Sequence, residues 1–169
     1  LSYEKGLMKR CEKIGVEVRN VIMDEKVSKE QFYSKLDSLN QDTEIHGILI
    51  FRPLPAYLDN EKARNYISSS KDVDGCTNES LAGVFTNTKV GYAPCTAQAV
   101  MECLDHYDID VTSKNVVIVG RSLVVGKPLS MMMCSKNATV TLCHTKTKDL
   151  KEITKKAEIE LNKILNIST

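Results

Sequence analysis

Tyr3, Leu7, Arg10 and Ile14 recur at i, i+4, i+7 and i+11, which is one face of a helix over residues 2–14. Val16 to Met23 is rich in β-forming residues and reads as a strand. Ser28 and Gln31 have the S-x-x-Q spacing of a capping box, and the helix they open carries Phe32, Leu36 and Leu39 on one side. The mostly apolar run Ile45 to Phe51 predicts a buried strand, ended by Pro53 and Pro55. Asp59 opens a short helix to about Ile67, and residues 68–95 read as loops. Thr96 is placed to cap a helix running to about Tyr107. Strands are then expected at Asn115–Val119 and Ala138–Cys143, with a helix through Met131–Met133 between them. Alternating strands and helices imply an α/β fold with a mostly parallel sheet. A boundary near Thr96 divides the chain into residues 1–95 and 96–169.

Composition changes this picture mainly by exclusion. With 42% apolar and 27% charged residues the chain is of the globular type. It has no run of about 18 apolar residues, so no membrane span is expected. A formal net charge of +1 argues against a nucleic-acid partner. None of the 6 cysteines stands in a C-x-x-C pair, which excludes a typical zinc site and fits free thiols in a reducing cytoplasm. No metal is expected. The first residue is Leu1, with no charged-then-apolar leader behind it.

Two segments carry candidate chemistry. In the first, Gly120 ends a strand and Gly126 stands where a helix begins, as a phosphate-binding turn requires. Ser122 occupies the place of the second glycine of G-x-G-x-x-G, so an ordinary tight turn is the other reading. The next strand ends in Cys143-His144-Thr145-Lys146-Thr147 without the acid that NAD-selective sites carry, and Arg121 lies in the turn. That rim suits the 2′-phosphate of NADP, or is solvated surface charge. The second segment is Lys71-Asp72-Val73-Asp74-Gly75. It offers a carboxylate to a polar heterocycle, or is a charged turn, and alone it favours the turn.

KDVDG, PCTAQA, VVIVGRSLVVGKP and NATVTLCHTKT stand here in one order. Together they resemble the bifunctional methylenetetrahydrofolate dehydrogenase/methenyltetrahydrofolate cyclohydrolase family, from Ser2 to about Ala157. The resemblance implies an N-terminal α/β catalytic domain and a Rossmann-type NADP-binding domain, with a tetrahydrofolate derivative in the cleft between them. It implies a homodimer. It also implies that a hydride passes from 5,10-methylenetetrahydrofolate to NADP⁺, and that water then opens the methenyl product to 10-formyltetrahydrofolate. Carried over by motif, Tyr3 is the substrate-stacking tyrosine and Asp74 the pterin-binding carboxylate, and both are candidate catalytic residues. Pro94, Cys95 and Thr96 match the P-C-T turn, Gly120, Arg121, Ser122 and Gly126 the cofactor loop, and His144 and Thr145 its far wall.

Three departures shape the expectation. Leu7 stands where the family has its catalytic lysine, four residues after the tyrosine. The family run G-I-L-V-Q-L-P-L-P supplies a glutamine to that lysine; here Gly47 to Pro55 reads GILIFRPLP, with Phe51 in its place. Both partners of one polar pair are apolar, which avoids leaving either unpaired. Lys5 and Lys9 point away from the Tyr3/Leu7 face, and Arg10 does not give up its proton. Cyclohydrolase activity is therefore expected to be weak or missing, while hydride transfer survives. Finally, the tail EIELNKILNIST departs from the family's apolar strand. The chain is expected to be incomplete at both ends and to have little stability or activity alone. The other functional readings are a remnant without catalysis and an NADP-dependent oxidoreductase for another substrate.

Overall fold

The computed structural model describes residues 2–162. Helix α1 (Ser2–Lys13) forms where expected, but of the face Tyr3, Leu7, Arg10 and Ile14 only Leu7 is half-buried, and Ile14 lies beyond the end of the helix. Helix α2 (Lys29–Gln41) begins with the complete Ser28/Gln31 capping box and buries Phe32 and Leu36. Asp59 caps α3 (Asn60–Asn65) by accepting from the amides of Glu61 and Lys62. Phe32, Leu36, Leu58 and Ala63 form one apolar core, on which Ile50, Leu54 and Tyr66 pack.

The first half differs from expectation in three places. Residues 16–23 and 45–51 do not form strands. β-branched residues extend the backbone, but a strand also needs a ladder partner. The 45–51 run receives Lys71 alongside it, with the Ile48 amide donating to the Lys71 carbonyl at 2.7 Å, and has no ladder among the described residues. Ile22 in the other segment is 91% exposed. The third difference is a helix, α4 (Asn78–Thr86), within residues 68–95. Thr77 caps it by accepting from the Ser80 amide, and Asn87 ends it in the left-handed region at φ 53°. A single 3₁₀ turn, Ser69–Lys71, precedes it.

Helix α5 (Cys95–His106) starts two residues earlier than expected, with Pro94 rather than Thr96 at its N-cap. Beyond it run β1 (Asn115–Val119), α6 (Gly126–Ser135), β2 (Thr139–Cys143), α7 (Leu150–Thr154) and β3 (Ile159–Asn162). The three strands form one parallel sheet in the order β2-β1-β3. Strand β3 corrects the reading of the tail: Ile159 and Leu161 pair with Val116 and Ile118, and both side chains pack on the core. Alternation of these apolar residues with Glu160 suits a strand with one buried face. Ile164, Leu165 and Ile167 lie outside the described residues. The second core joins Ala97, Met101 and Leu104 of α5, Val116 and Ile118 of β1, and Leu129 and Met133 of α6. Helix α4 packs against α6, which links the two halves.

Candidate functional site

Four segments of the first half meet around the KDVDG loop. Val73 abuts Gly47, where an added Cβ would come within 2.5 Å of its side chain. Gly75 turns at φ +65° and lies so near the Ala93–Pro94 backbone that a Cβ would clash with it. The Cys95 thiol donates to the Val73 carbonyl at 3.1 Å. Arg52 Nη2 donates to Asp74 Oδ2, also at 3.1 Å. The Tyr3 ring meets Phe51 edge-on, with centroids 5.9 Å apart. Tyr3, at 66% exposed, and Phe51, at 42%, keep open aromatic surface beside the Arg52–Asp74 pair. The loop around Asp74 is thus joined to buried Pro94 through Gly75 and to Cys95 through Val73, and Tyr3 is linked to Asp74 through Phe51 and its chain neighbour Arg52. Thr96 is exposed in the first turn of α5.

The other two charged residues of the loop are structural. Lys71 Nζ donates to the carbonyls of Leu39 and Asp42, at 2.9 and 2.7 Å, and so closes the C-terminal end of α2 with a cation. Asp72 is 0% exposed. It accepts from the Thr77 amide at 2.7 Å, the Ser80 hydroxyl at 2.6 Å and the Cys76 amide at 3.1 Å. Burial pushes its carboxyl up, but these hydrogen bonds outweigh burial and hold it below its ordinary value. Replacing Asp72 by Ala leaves those donors without their acceptor and is expected to cost about 3 kcal/mol of stability. A lowered folded value means that Asp72 stabilises the fold above its ordinary pKa of 3.8 and that this stability goes as pH falls through the folded value. Denaturant melts should therefore separate the parent and Asp72→Ala chains fully at pH 7 and progressively less below about pH 4. Equal stabilities at pH 7 would remove Asp72 from this role.

The thiols here are poor nucleophiles. Burial, then the Asp72 charge, pushes Cys76 up to about 12. Burial, then Asp74, raises Cys95.

The second site forms where β1 ends. Gly120 leaves the strand at φ 130°. A Cβ on Gly126 would run into the Gly120 carbonyl oxygen, so the first turn of α6 rests directly on the strand end. Ser122 ties the intervening turn: its hydroxyl accepts from the Val125 amide at 3.2 Å and its carbonyl from the Lys127 amide at 3.0 Å. The serine thus supplies a turn contact that a glycine would lack. Arg121 is exposed at the rim. The Gly120 amide donates to the Cys143 carbonyl at 2.8 Å, bringing the end of β2 alongside. There the His144 amide donates to Thr147 Oγ1 at 2.8 Å and His144 Nδ1 accepts from the Lys146 amide at 3.1 Å. An accepting Nδ1 assigns the proton of the neutral ring to Nε2. Thr145 is exposed in this tight turn. A cleft of about 250 Å³ opens at the loop, lined by Gly120, Ser122, Gly126, Val125, Leu161 and Glu160.

Sequence reasoning missed Arg52 and Glu160, and it did not separate the role of Asp72 from that of Asp74. Arg52 and Asp74 are far apart in the chain, and Glu160 reaches the cleft only because β3 lies beside β1. The two acids of KDVDG were visible, but their different surroundings were not.

A parallel sheet with a glycine-bounded turn at a strand end and a helix resting on it defines an α/β nucleotide-binding class of protein. Residues 1–74 match the family described as tetrahydrofolate dehydrogenase/cyclohydrolase, catalytic domain, and residues 94–164 match its NAD(P)-binding domain. The chain belongs to the tetrahydrofolate dehydrogenase/cyclohydrolase family. The match extends beyond Ala157 to residue 164 and so takes in β3. The bifunctional protein FolD of Clostridium botulinum, Langeland strain, is 47% identical over 164 residues, covering 97% of this chain and 58% of that protein. Among solved structures, the bifunctional FolD enzyme of Campylobacter jejuni superposes with a TM-score of 0.91 at 35% identity, over 95% of this chain and 57% of its own. The FolD of Trypanosoma brucei, solved with NADP cofactor and an inhibitor, has a TM-score of 0.85 at 27% identity, over 95% of this chain and 55% of its own. The chain therefore spans little more than half the length of these relatives.

Proposed function

We propose that the protein oxidises 5,10-methylenetetrahydrofolate to 5,10-methenyltetrahydrofolate in one-carbon metabolism, with NADP⁺ as hydride acceptor, and lacks the hydrolytic step. The observation that carries this reading is the KDVDG loop folded onto the P-C-T turn, with Asp74 paired to Arg52, the chain neighbour of the half-open Phe51 ring. In this reading residues 1–95 hold the folate and residues 96–169 belong to the cofactor domain.

The cofactor fits the second site because the close approach of Gly126 to Gly120 makes a cradle that side chains would fill. Gly120, Ser122 and Gly126 would hold the pyrophosphate and Arg121 a 2′-phosphate, with His144 and Thr145 as the far wall. When bound, the nicotinamide supplies hydride acceptance. Tyr3 stacks the substrate ring and Asp74 accepts hydrogen bonds from it, so the protein's part in hydride transfer is placement. Placement does not require a lysine at position 7. Hydrolysis needs proton management, and Leu7 and Phe51 offer no proton-transfer group. A cytoplasmic homodimer is part of this proposal, carried over from the resemblance of the sequence.

The test supplies methylenetetrahydrofolate with NADP⁺ or NAD⁺ to the protein at its natural length and follows methenyl absorbance. The expected result is accumulation of methenyl product, decaying at the buffer rate, with NADP⁺ favoured about tenfold or more in kcat/KM, a difference worth about 1.4 kcal/mol. No methenyl with either nucleotide would end the dehydrogenase reading. A preference for NAD⁺ would end the Arg121 assignment and point to Glu160, the acid that lines the cleft.

A further inference from the structure

Arg52 stands where the family run has leucine, directly after Phe51, whose ring meets Tyr3, and its guanidinium meets Asp74, the partly exposed carboxylate of the KDVDG loop. Their ion pair joins a single guanidinium nitrogen, Nη2, to a single carboxylate oxygen, Oδ2, at 3.1 Å. A guanidinium carries five N–H donors and a carboxylate two accepting oxygens, so a one-point contact engages only part of each group. Both backbones are fixed. Pro53 restricts Arg52 to extended conformations, and Gly75, the residue after Asp74, lies against the Ala93–Pro94 backbone. The two side chains, 36% and 29% exposed, remain within reach of a ligand.

We infer that Arg52 and Asp74 together read the edge of a cyclic amide, Asp74 Oδ1 accepting from its N–H and Arg52 donating to the adjacent C=O. This inference rests on the folate reading above and adds a specificity residue to it. The pair presents acceptor beside donor, and a ring N–H beside a carbonyl is the complementary order. A pteridine with a 4-oxo group has that edge. Its 4-amino analogue offers a ring nitrogen acceptor beside an N–H donor, so it turns acceptor toward acceptor and donor toward donor. A site that hydrogen-bonds one pattern rejects the reverse because its own polar groups lose their partners. A leucine at position 52 would leave only the Asp74 half of this test.

The experiment titrates folic acid, a 4-oxo pteridine, and its 4-amino-4-deoxy analogue into the protein at natural length and into Arg52→Leu and Arg52→Lys. The parent is expected to prefer the 4-oxo ligand at least tenfold. Arg52→Leu should reduce that preference about tenfold, and Arg52→Lys, which keeps charge without the planar fork, about threefold. A role in folding alone would weaken both ligands equally and leave the preference unchanged, which overturns the inference. If Arg52→Leu does not fold, Arg52→Lys decides, and a parent-like preference in it overturns the inference. Equal binding of the two ligands by the parent removes the Arg52 reading and leaves the folate reading standing. Binding of neither ligand by the parent removes both.

Discussion

Restoring Lys at position 7 and Gln at position 51 together is expected to raise hydrolysis of methenyltetrahydrofolate by about 10²-fold or more, the usual contribution of a positioned acid or base. Leu7 follows Tyr3 by one turn of α1, on the same face, and Phe51 lies against the Tyr3 ring. The two positions therefore share one small environment. Lys alone would bring an ammonium group beside an aromatic ring that offers it no hydrogen-bond acceptor. Gln alone would place an amide there without its partner. Either single change is expected to gain less than about threefold, because the pair works as one unit. Hydride transfer should change little in all three variants, since it depends on the placement of substrate against cofactor. The measurement is enzyme-dependent decay of methenyl absorbance above the buffer rate. A parent protein that already hydrolyses quickly would show that another group has taken over the work. A double variant as slow as its parent would show that more than this pair is missing.

Much of this arrangement could be read locally. The Ser28/Gln31 box, the Asp59 cap, and the strands around Val117 and Thr141 depend on residues close in sequence, and each formed as expected. The errors fell where distant partners decide. Residues 16–23 and 45–51 have strand composition, but composition does not supply a ladder. Helix α4 was hidden by the polar, glycine-containing stretch around it. Its cap is T-x-x-S rather than a full box, and Gly83 within it is there for packing, since a Cβ would strike the Val90 carbonyl. In the site, motif position picked out Asp74, whereas only the fold reveals that Asp72 is the buried frame and that Arg52 faces Asp74. Glu160 makes the same point for the cofactor cleft. An acid is missing at the end of β2, yet the neighbouring strand brings one to the lining.

Gly126→Ala is expected to lower nucleotide affinity at least 100-fold, equivalent to about 2.7 kcal/mol or more. The new Cβ would occupy the space of the Gly120 carbonyl oxygen. Neither side can yield cheaply. Gly120 is tied to β2 through Cys143, and the start of α6 is tied to the turn through Lys127 and Ser122. Moving α6 outward would also open its buried contacts at Leu129 and Met133. The variant should lose about 1–3 kcal/mol of stability, the usual cost of overpacking a close contact. Gly6→Ala supplies the contrast. Gly6 lies inside α1 with no atom near its would-be Cβ, so alanine there should stabilise by about 0.5–1 kcal/mol through helix propensity. Thermal melts and NADP⁺ titrations on both variants test the assignment. Parent-like affinity in Gly126→Ala would show that the glycine pair serves only a tight turn, the plainer of the two readings open to it from sequence.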